Sequence, residues 1–253
     1  MNRFRPLLLL AGLLVTACWF NFYDAEAPET RDWPAAGIDT IYLNVDNGAI
    51  GVTARADTTI TTIITKRCKG TNDADAEAHL GDIVISESLA GSALFLRATA
   101  PTPNTRSYAA DFAISAPDST VLRITSANGA VTLTGMAEYA SIVAANGAVT
   151  TTAHTGHLDV AAANGAVNCD MADMGMYSSV ALHSNNGAVE LAIPTDAEVV
   201  FDASTNNGSV QVNGFTLISY TVNEPKHKSG EINSGWGSAT LSSNNGRVTL
   251  RAR

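Results

Sequence analysis

With 253 residues, 15% of them charged and 6% aromatic, the chain is long enough for one large β domain or two ordinary domains, but too poor in aromatics for a large aromatic core. Its formal charge of −9 argues against nucleic acid as a partner, because no basic face could neutralise a run of phosphates. The surplus lies in Ala, Thr, Gly and Asn, small residues that suit repetitive β structure better than helical bundles.

Residues 1–17 read as a signal peptide. Arg3 and Arg5 form a short positive region, residues 7–15 an apolar one, and Val15-Thr16-Ala17-Cys18 closes it. The segment resembles a bacterial lipoprotein signal, in which an aliphatic residue and small residues precede a cysteine that carries diacylglycerol. An uninterrupted apolar run of roughly 11 residues is too short to span hydrocarbon, which needs about 20. Cys18 is therefore the expected lipidation site, and two or more acyl chains would hold the chain stably on a membrane. Trp19 stands where an aspartate would signal inner-membrane retention in enteric bacteria, so outer-membrane delivery is favoured in a diderm host. Residues 18–37, without periodicity, read as a lipidated cysteine and flexible tether, its aromatics either resting at the lipid interface or forming part of a disordered spacer.

Residues 38–121 read as an irregular β part. Strands are expected over 41–53, 59–65, 82–88, 93–99 and 110–115, with a polar, acidic excursion over 71–80 and a surface loop over 101–107. No stretch shows a helical period. Ile41, Leu43, Val45, Ile50 and Val52 already fit the columns of the repeat that follows.

Residues 122–253 are organised by Asn-Gly pairs: Asn128-Gly129, Asn146-Gly147, Asn164-Gly165, Asn186-Gly187, Asn207-Gly208 and Asn245-Gly246, with an early copy at Asn47-Gly48. The six later copies are spaced 18, 18, 22, 21 and 38 residues, the last gap being close to two periods. Ile124, Ile142, Val160, Leu182, Ala203 and Leu241 precede the pairs at one fixed offset, and Val131, Val149, Val167, Val189, Val210 and Val248 follow at another. Alternation at period two on both sides means two strands per repeat, each with one buried face. Asn-Gly also signals a type I′ hairpin, which would make an antiparallel meander or sandwich. A long open meander would leave its apolar face uncovered, whereas coiling stacks the repeats in parallel over one narrow core. The preferred fold is all-β, a single-stranded β-solenoid with Asn-Gly corners, continuous over residues 38–253. Stacking would align the asparagines into an amide ladder.

Chemistry is sparse. His154 and His157, three apart, and His183 invite a metal reading, but they fall in different repeat positions and read as solvated surface histidines. Carboxylates such as Asp159, Asp170, Glu190 and Asp202 are scattered among columns rather than paired for glycoside cleavage. Gly235 and Gly237 lack a following helix to bind phosphate. Cys169 occupies an inward column and reads as a buried thiol, with a Cys68–Cys169 disulfide as the alternative. Residues 219–237 stretch the repeat and carry Lys226, His227, Lys228 and Trp236, which read either as a binding loop or as a degenerate rung with a solvated loop. Lys66, Arg67 and Lys69 read as a charged strand end that protects an edge. No catalytic, cofactor or metal residues are assigned, and the lipid on Cys18 is the one covalent group expected.

The chain resembles the domain-of-unknown-function 4097 family of adhesin-like bacterial proteins. The resemblance rests on Leu43-Asn44-Val45-Asp46-Asn47-Gly48-Ala49-Ile50, on the strand at Asp111-Phe112-Ala113-Ile114 leading into Ile124-Thr125-Ser126-Ala127-Asn128-Gly129, on the serial Asn-Gly turns, and on the closing Gly235-Trp236-Gly237 repeat. It covers roughly residues 38–253 and implies an envelope β-solenoid without catalytic residues. Ala follows most of the glycines where family members often carry Asp, which weakens any acidic, calcium-binding ladder. The expected function is a non-enzymatic, adhesin-like binding or scaffolding module on the cell envelope, directed at protein or glycan. The alternatives are an envelope-stress or signalling component that binds peptides or lipids, and a polysaccharide-active enzyme.

Overall fold

The computed structural model describes residues 23–101 and 106–253. The signal peptide and Cys18 lie outside the described residues. In chain order the first strands are β1 (Tyr23–Pro34), β2 (Thr40–Asn47), β3 (Ile50–Ala54), β4 (Thr59–Gly70), β5 (Val84–Ala90), β6 (Ala93–Thr99) and β7 (Ser107–Ala116). The repeats supply β8 (Val121–Asn128), β9 (Val131–Thr134), β10 (Ala140–Asn146), β11 (Val149–His154), β12 (Leu158–Asn164), β13 (Val167–Met171), β14 (Ser179–Ser184) and β15 (Val189–Ile193). The chain finishes with β16 (Val199–Asn207), β17 (Val210–Asn213), β18 (Ile218–Asn223), β19 (His227–Ile232), β20 (Gly237–Asn245) and β21 (Val248–Ala252). One short helix, α1 (Asp73–Ala78), and a 3-10 turn (Leu80–Asp82) interrupt them.

The strands form two sheets over one core. Sheet A has the order β1-β4-β7-β3-β9-β11-β13-β15-β21-β17, and sheet B the order β18-β19-β16-β20-β14-β12-β10-β8-β2-β6-β5. The two strands flanking each Asn-Gly pair belong to different sheets, and equivalent strands of successive repeats pair in parallel, as in Ile124↔Ile142↔Val160. The repeat is therefore a solenoid, and antiparallel hairpins are confined to its ends. Inward columns such as Leu122, Ile124 and Val131 are buried, while the alternating residues face out.

Corner chemistry follows from close approach. None of the Asn-Gly asparagines has a positive φ, and only Gly48, Gly129 and Gly147 among the seven corner glycines do, at 141°, 143° and 153°, so these are not type I′ turns. Space is what demands glycine. A Cβ on Gly165 would stand 1.9 Å from the Gly147 carbonyl oxygen, and one on Gly187 would stand 2.0 Å from that of Gly165. The same carbonyls accept from a hydroxyl two positions before several corner asparagines, as with Ser184 on Gly165 (2.9 Å), Ser243 on Gly187 (2.8 Å) and Thr205 on Gly246 (2.8 Å).

The asparagine side chains form a continuous ladder. Each Nδ2 donates to the next Oδ1: Asn128 to Asn47 (2.8 Å), Asn146 to Asn128 (3.0 Å), Asn164 to Asn146 (2.9 Å), Asn186 to Asn164 (2.8 Å), Asn245 to Asn186 (2.8 Å) and Asn207 to Asn245 (2.9 Å). All but the half-buried Asn47 are exposed, so the ladder lines a wet edge rather than a buried seam.

Ladder order departs from chain order at both ends. The last rung, β20 and β21, inserts between β14/β15 and β16/β17, and the 38 residues between Asn207 and Asn245 hold the β18–β19 hairpin on the outer side of β16. At the other end β2 and β3 lie between β6/β7 and β8/β9. The outermost rungs are closed by antiparallel strands: β4 on β7 with β1 beyond it, β5 on β6, and the β18–β19 hairpin on β16.

Two expectations need correction. Residues 23–34, placed in the tether, form β1, paired with β4 along all twelve residues from Tyr23↔Gly70 to Pro34↔Thr59. Pro28 and Pro34 are tolerated because β1 is an edge strand. The acidic excursion contains α1, with Asn72 accepting from the Asp75 amide as its N-cap. Asp75 also receives Arg106 through both Nε and Nη2, and this pairing holds its carboxyl down to about 2.

Asn164→Ala removes two ladder bonds, and at about 0.5–1.5 kcal/mol per net hydrogen bond should cost roughly 1–3 kcal/mol by urea denaturation. Asn207→Ala, at the ladder's end, removes one and should cost about half as much.

Candidate functional site

Aromatic and cationic side chains gather on the outer face of sheet B near its β5 end. Ile41, Leu43 and Val45 point inward on β2, which turns Tyr42 and Asn44 outward, and the same alternation exposes Phe95 and Arg97 on β6 and Arg123 and Thr125 on β8. In-register pairing then sets these residues in rows across the strands. One row holds Phe95, Tyr42, Arg123 and Ser141, and the next Arg97, Asn44, Thr125 and Val143.

In the first row the Tyr42 and Phe95 rings stack with centroids 4.6 Å apart and planes 10° from parallel. The Arg123 guanidinium lies 5.9 Å from the Tyr42 ring and 5.2 Å from that of Tyr139, a cation held between two π faces. The stack borders a groove of about 660 Å³ that reaches Ser86 and Glu87 of β5 on one side and Val143 of β10 on the other. Tyr42 and Phe95 remain 36% and 39% exposed. Arg97 and Arg123 make no ion pair among the described residues, whereas Glu87 lies 3.8 Å from Arg31. This groove was absent from the sequence expectations. Its signal was present as large aromatics and arginines at the outward positions between inward Leu and Ile.

The loop expected over residues 219–237 is largely the β18–β19 hairpin, and it does not form one site. Lys226 Nζ donates to the Asn206 carbonyl (2.8 Å), His227 faces Asp202 (3.4 Å), and Lys228 donates to Asn223 while lying 5.5 Å from the Tyr220 ring. Trp236 stands beyond the far end of β19, a strand of six residues spanning about 20 Å. There it meets Tyr177 edge-on, 6.3 Å between centroids, beside a small groove that also holds Asp173, Asp196 and Glu198. Among the carboxylates scattered over the columns, Glu190 pairs with Arg251 (2.6 Å) and Asp170 with Arg253 (3.0 Å).

The histidines separate as well, and one of them is not a surface residue. A bulge between Thr151 and His154, with Ala153 at φ 54°, turns His154 into the core, where it is fully buried. Its Nε2 lies 3.2 Å from the His157 carbonyl and its Nδ1 makes no hydrogen bond among the described residues. His157 Nδ1 accepts from the Ser179 amide, and His183 binds Ser242 and Asn185. Cys68 and Cys169 are free and buried, on β4 and β13. Four strands of sheet A lie between them, about 24 Å at the usual strand spacing, far beyond disulfide reach. Burial pushes the Cys169 thiol up to about 12, which makes it inert.

Burial also lowers the His154 pKa below its ordinary 6.5. Below that pH the unfolded chain binds a proton that the folded chain resists, so this residue's contribution to stability is present above pH 6.5 and lost as pH falls. The urea midpoint should drop between pH 7.5 and 5, and His154→Met should flatten that drop. An unchanged pH slope in the variant would contradict a buried neutral imidazole.

The Toastrack DUF4097 family profile matches residues 36–251. No curated protein matches the sequence. Among solved structures, the chain is similar to a "putative cell adhesion protein" from Clostridium sporogenes, with 12% identity, a TM-score of 0.53, and coverage of 90% of this chain and 100% of that one. It is also similar to a "putative adhesin" from Bacteroides fragilis (12% identity, TM-score 0.36, 88% of this chain and 97% of that one). A "putative lipid binding protein" from Parabacteroides distasonis matches at 12% identity and a TM-score of 0.33, over 89% of this chain and 96% of that one. At such identity the Clostridium structure shows the shared fold. With its stacked rungs, its two sheets and a profile match over nearly the whole described chain, this protein belongs to the Toastrack DUF4097 family.

Proposed function

We propose that the protein is a lipid-anchored, non-enzymatic binding module of the bacterial cell envelope, held through Cys18 and presenting the outer face of sheet B to an envelope ligand. The observation that carries this reading is the exposed row of Phe95, Tyr42 and Arg123 across three adjacent strands. Aromatic and arginine side chains gathered on a rigid, solvent-facing surface are the composition of binding hot spots. The description of the Clostridium sporogenes structure as a "putative cell adhesion protein" supports the same class of activity.

The Val15-Thr16-Ala17-Cys18 sequence supports the anchor. Cys18 lies five residue steps from Tyr23 of β1, a reach of at most about 18 Å. Lipidation at Cys18 would thus hold the β1 end of the solenoid against the bilayer. No helix among the described residues is long and apolar enough to cross a membrane.

Fractionation of cells tests both halves. Cys18→Ser should abolish fatty-acid labelling and release the chain from the membrane fraction, and persistence of a lipidated mature form would sink the anchor. Tyr42→Ser combined with Phe95→Ser should lower retention of the detergent-solubilised chain on isolated envelopes about tenfold, or roughly 1.4 kcal/mol. Unchanged retention would remove this face as the binding surface.

A further inference from the structure

The groove's position on a sheet face restricts what it can recognise. β6, β2 and β8 are hydrogen-bonded on both sides, so their backbone amides and carbonyls are already committed to neighbouring strands. An added peptide strand needs a free edge, and none exists on these three. Over these three strands a ligand is held by side chains alone, and of the strands lining the groove only β5, at its end, is an edge strand.

Those side chains have a defined chemistry. Arg123 is fixed in the aromatic row between Tyr42 and Tyr139, and Arg97 stands in the neighbouring row, two strands away. Two strand spacings and one row offset separate their backbones by about 12 Å. The two cations are thus distributed along the groove. Asn44, Thr125 and Ser141 lie among them, with amide and hydroxyl groups suited to sugar hydroxyls. The groove crosses β5, β6, β2, β8 and β10, four strand spacings or about 19 Å, a length for several linked units.

Charge supplies the sign. The chain carries −9 overall, yet both arginines in this groove lack a carboxylate partner among the described residues, while the lining carboxylate, Glu87, faces Arg31. A cationic groove on an acidic body attracts anionic ligands locally without making the whole surface sticky to polyanions.

We propose that this groove binds an extended anionic glycan, its acidic groups meeting Arg97 and Arg123 and its hydroxyls meeting Asn44, Thr125 and Ser141. The proposal rests on the binding-module reading and names its ligand class. Carboxylate and phosphate would present the same charge to the arginines, so both belong in the test.

Calorimetric titration of the full-length chain in detergent should use hexagalacturonate, a phosphorylated mannohexaose, neutral maltohexaose and hexaglutamate. At least one anionic hexasaccharide should bind tenfold or more tighter than maltohexaose and hexaglutamate, and should weaken as salt rises. Arg97→Gln with Arg123→Gln should lose at least tenfold for that glycan, and Arg97→Lys with Arg123→Lys should recover part of it, which separates lost charge from lost fold. Equal binding of neutral and anionic glycans, equal binding of hexaglutamate, or no effect of the glutamine pair would overturn the proposal. If Tyr42→Ser with Phe95→Ser still lowers envelope retention in that event, the binding-module reading stands and only the glycan assignment falls.

Discussion

At seven corners the chain passes from one sheet to the other on a glycine whose missing side chain would lie 1.9–2.1 Å from a carbonyl oxygen of the neighbouring rung. No other residue lets two rungs approach at the strand spacing while the backbone turns. Once that contact is made, the adjoining asparagine amides fall into hydrogen-bonding range and the strands on either side are locked in register. Register is what brings like columns together inside, and it is equally what places outward residues from distant parts of the chain side by side. The aromatic and arginine rows of sheet B are thus a by-product of corner geometry.

Both ends of the stack are finished in the same manner. A rung near each terminus is inserted one place inside the end, between partners distant in sequence: Asn47 accepts from Asn128, 81 residues away, and Asn245 donates to Asn186, 59 residues away. Interior rungs close over 18 to 22 residues. Local closure costs less chain entropy, so the interior rungs are suited to form first and to offer edges on which the terminal rungs dock. Antiparallel strands then cover the edges of β6, β7 and β16, which would otherwise invite association, while the short β17 ends sheet A. In the proposed arrangement an anchor at Cys18 would sit at the β1 end with this cover, while the groove faces sideways from the stack.

Much of this was legible from period-two alternation. The inward columns from Ile124 to Leu250 and the early copy at Ile41–Val52 could be read directly, because a one-residue slip would expose every apolar side chain. Rung order could not, since a 38-residue gap fits a degenerate rung as well as a skipped one. The strand at residues 23–34 was hidden by its two prolines and polar alternation, both permitted on an edge, and α1 is too short to show a helical period. Trp236 and Lys226 were read as one loop because they are near in sequence, whereas a full strand holds them apart. The groove was missed for the opposite reason, as Tyr42, Phe95 and Arg123 are distant in sequence and meet only through the inserted first rung.

The most direct test of corner packing is urea denaturation of Gly165→Ala beside Gly81→Ala, where an added Cβ meets nothing within 4 Å. The close approach predicts a loss of about 3 kcal/mol or more at Gly165, with little change at Gly81. Equal midpoints for the two variants and the wild type would contradict the account.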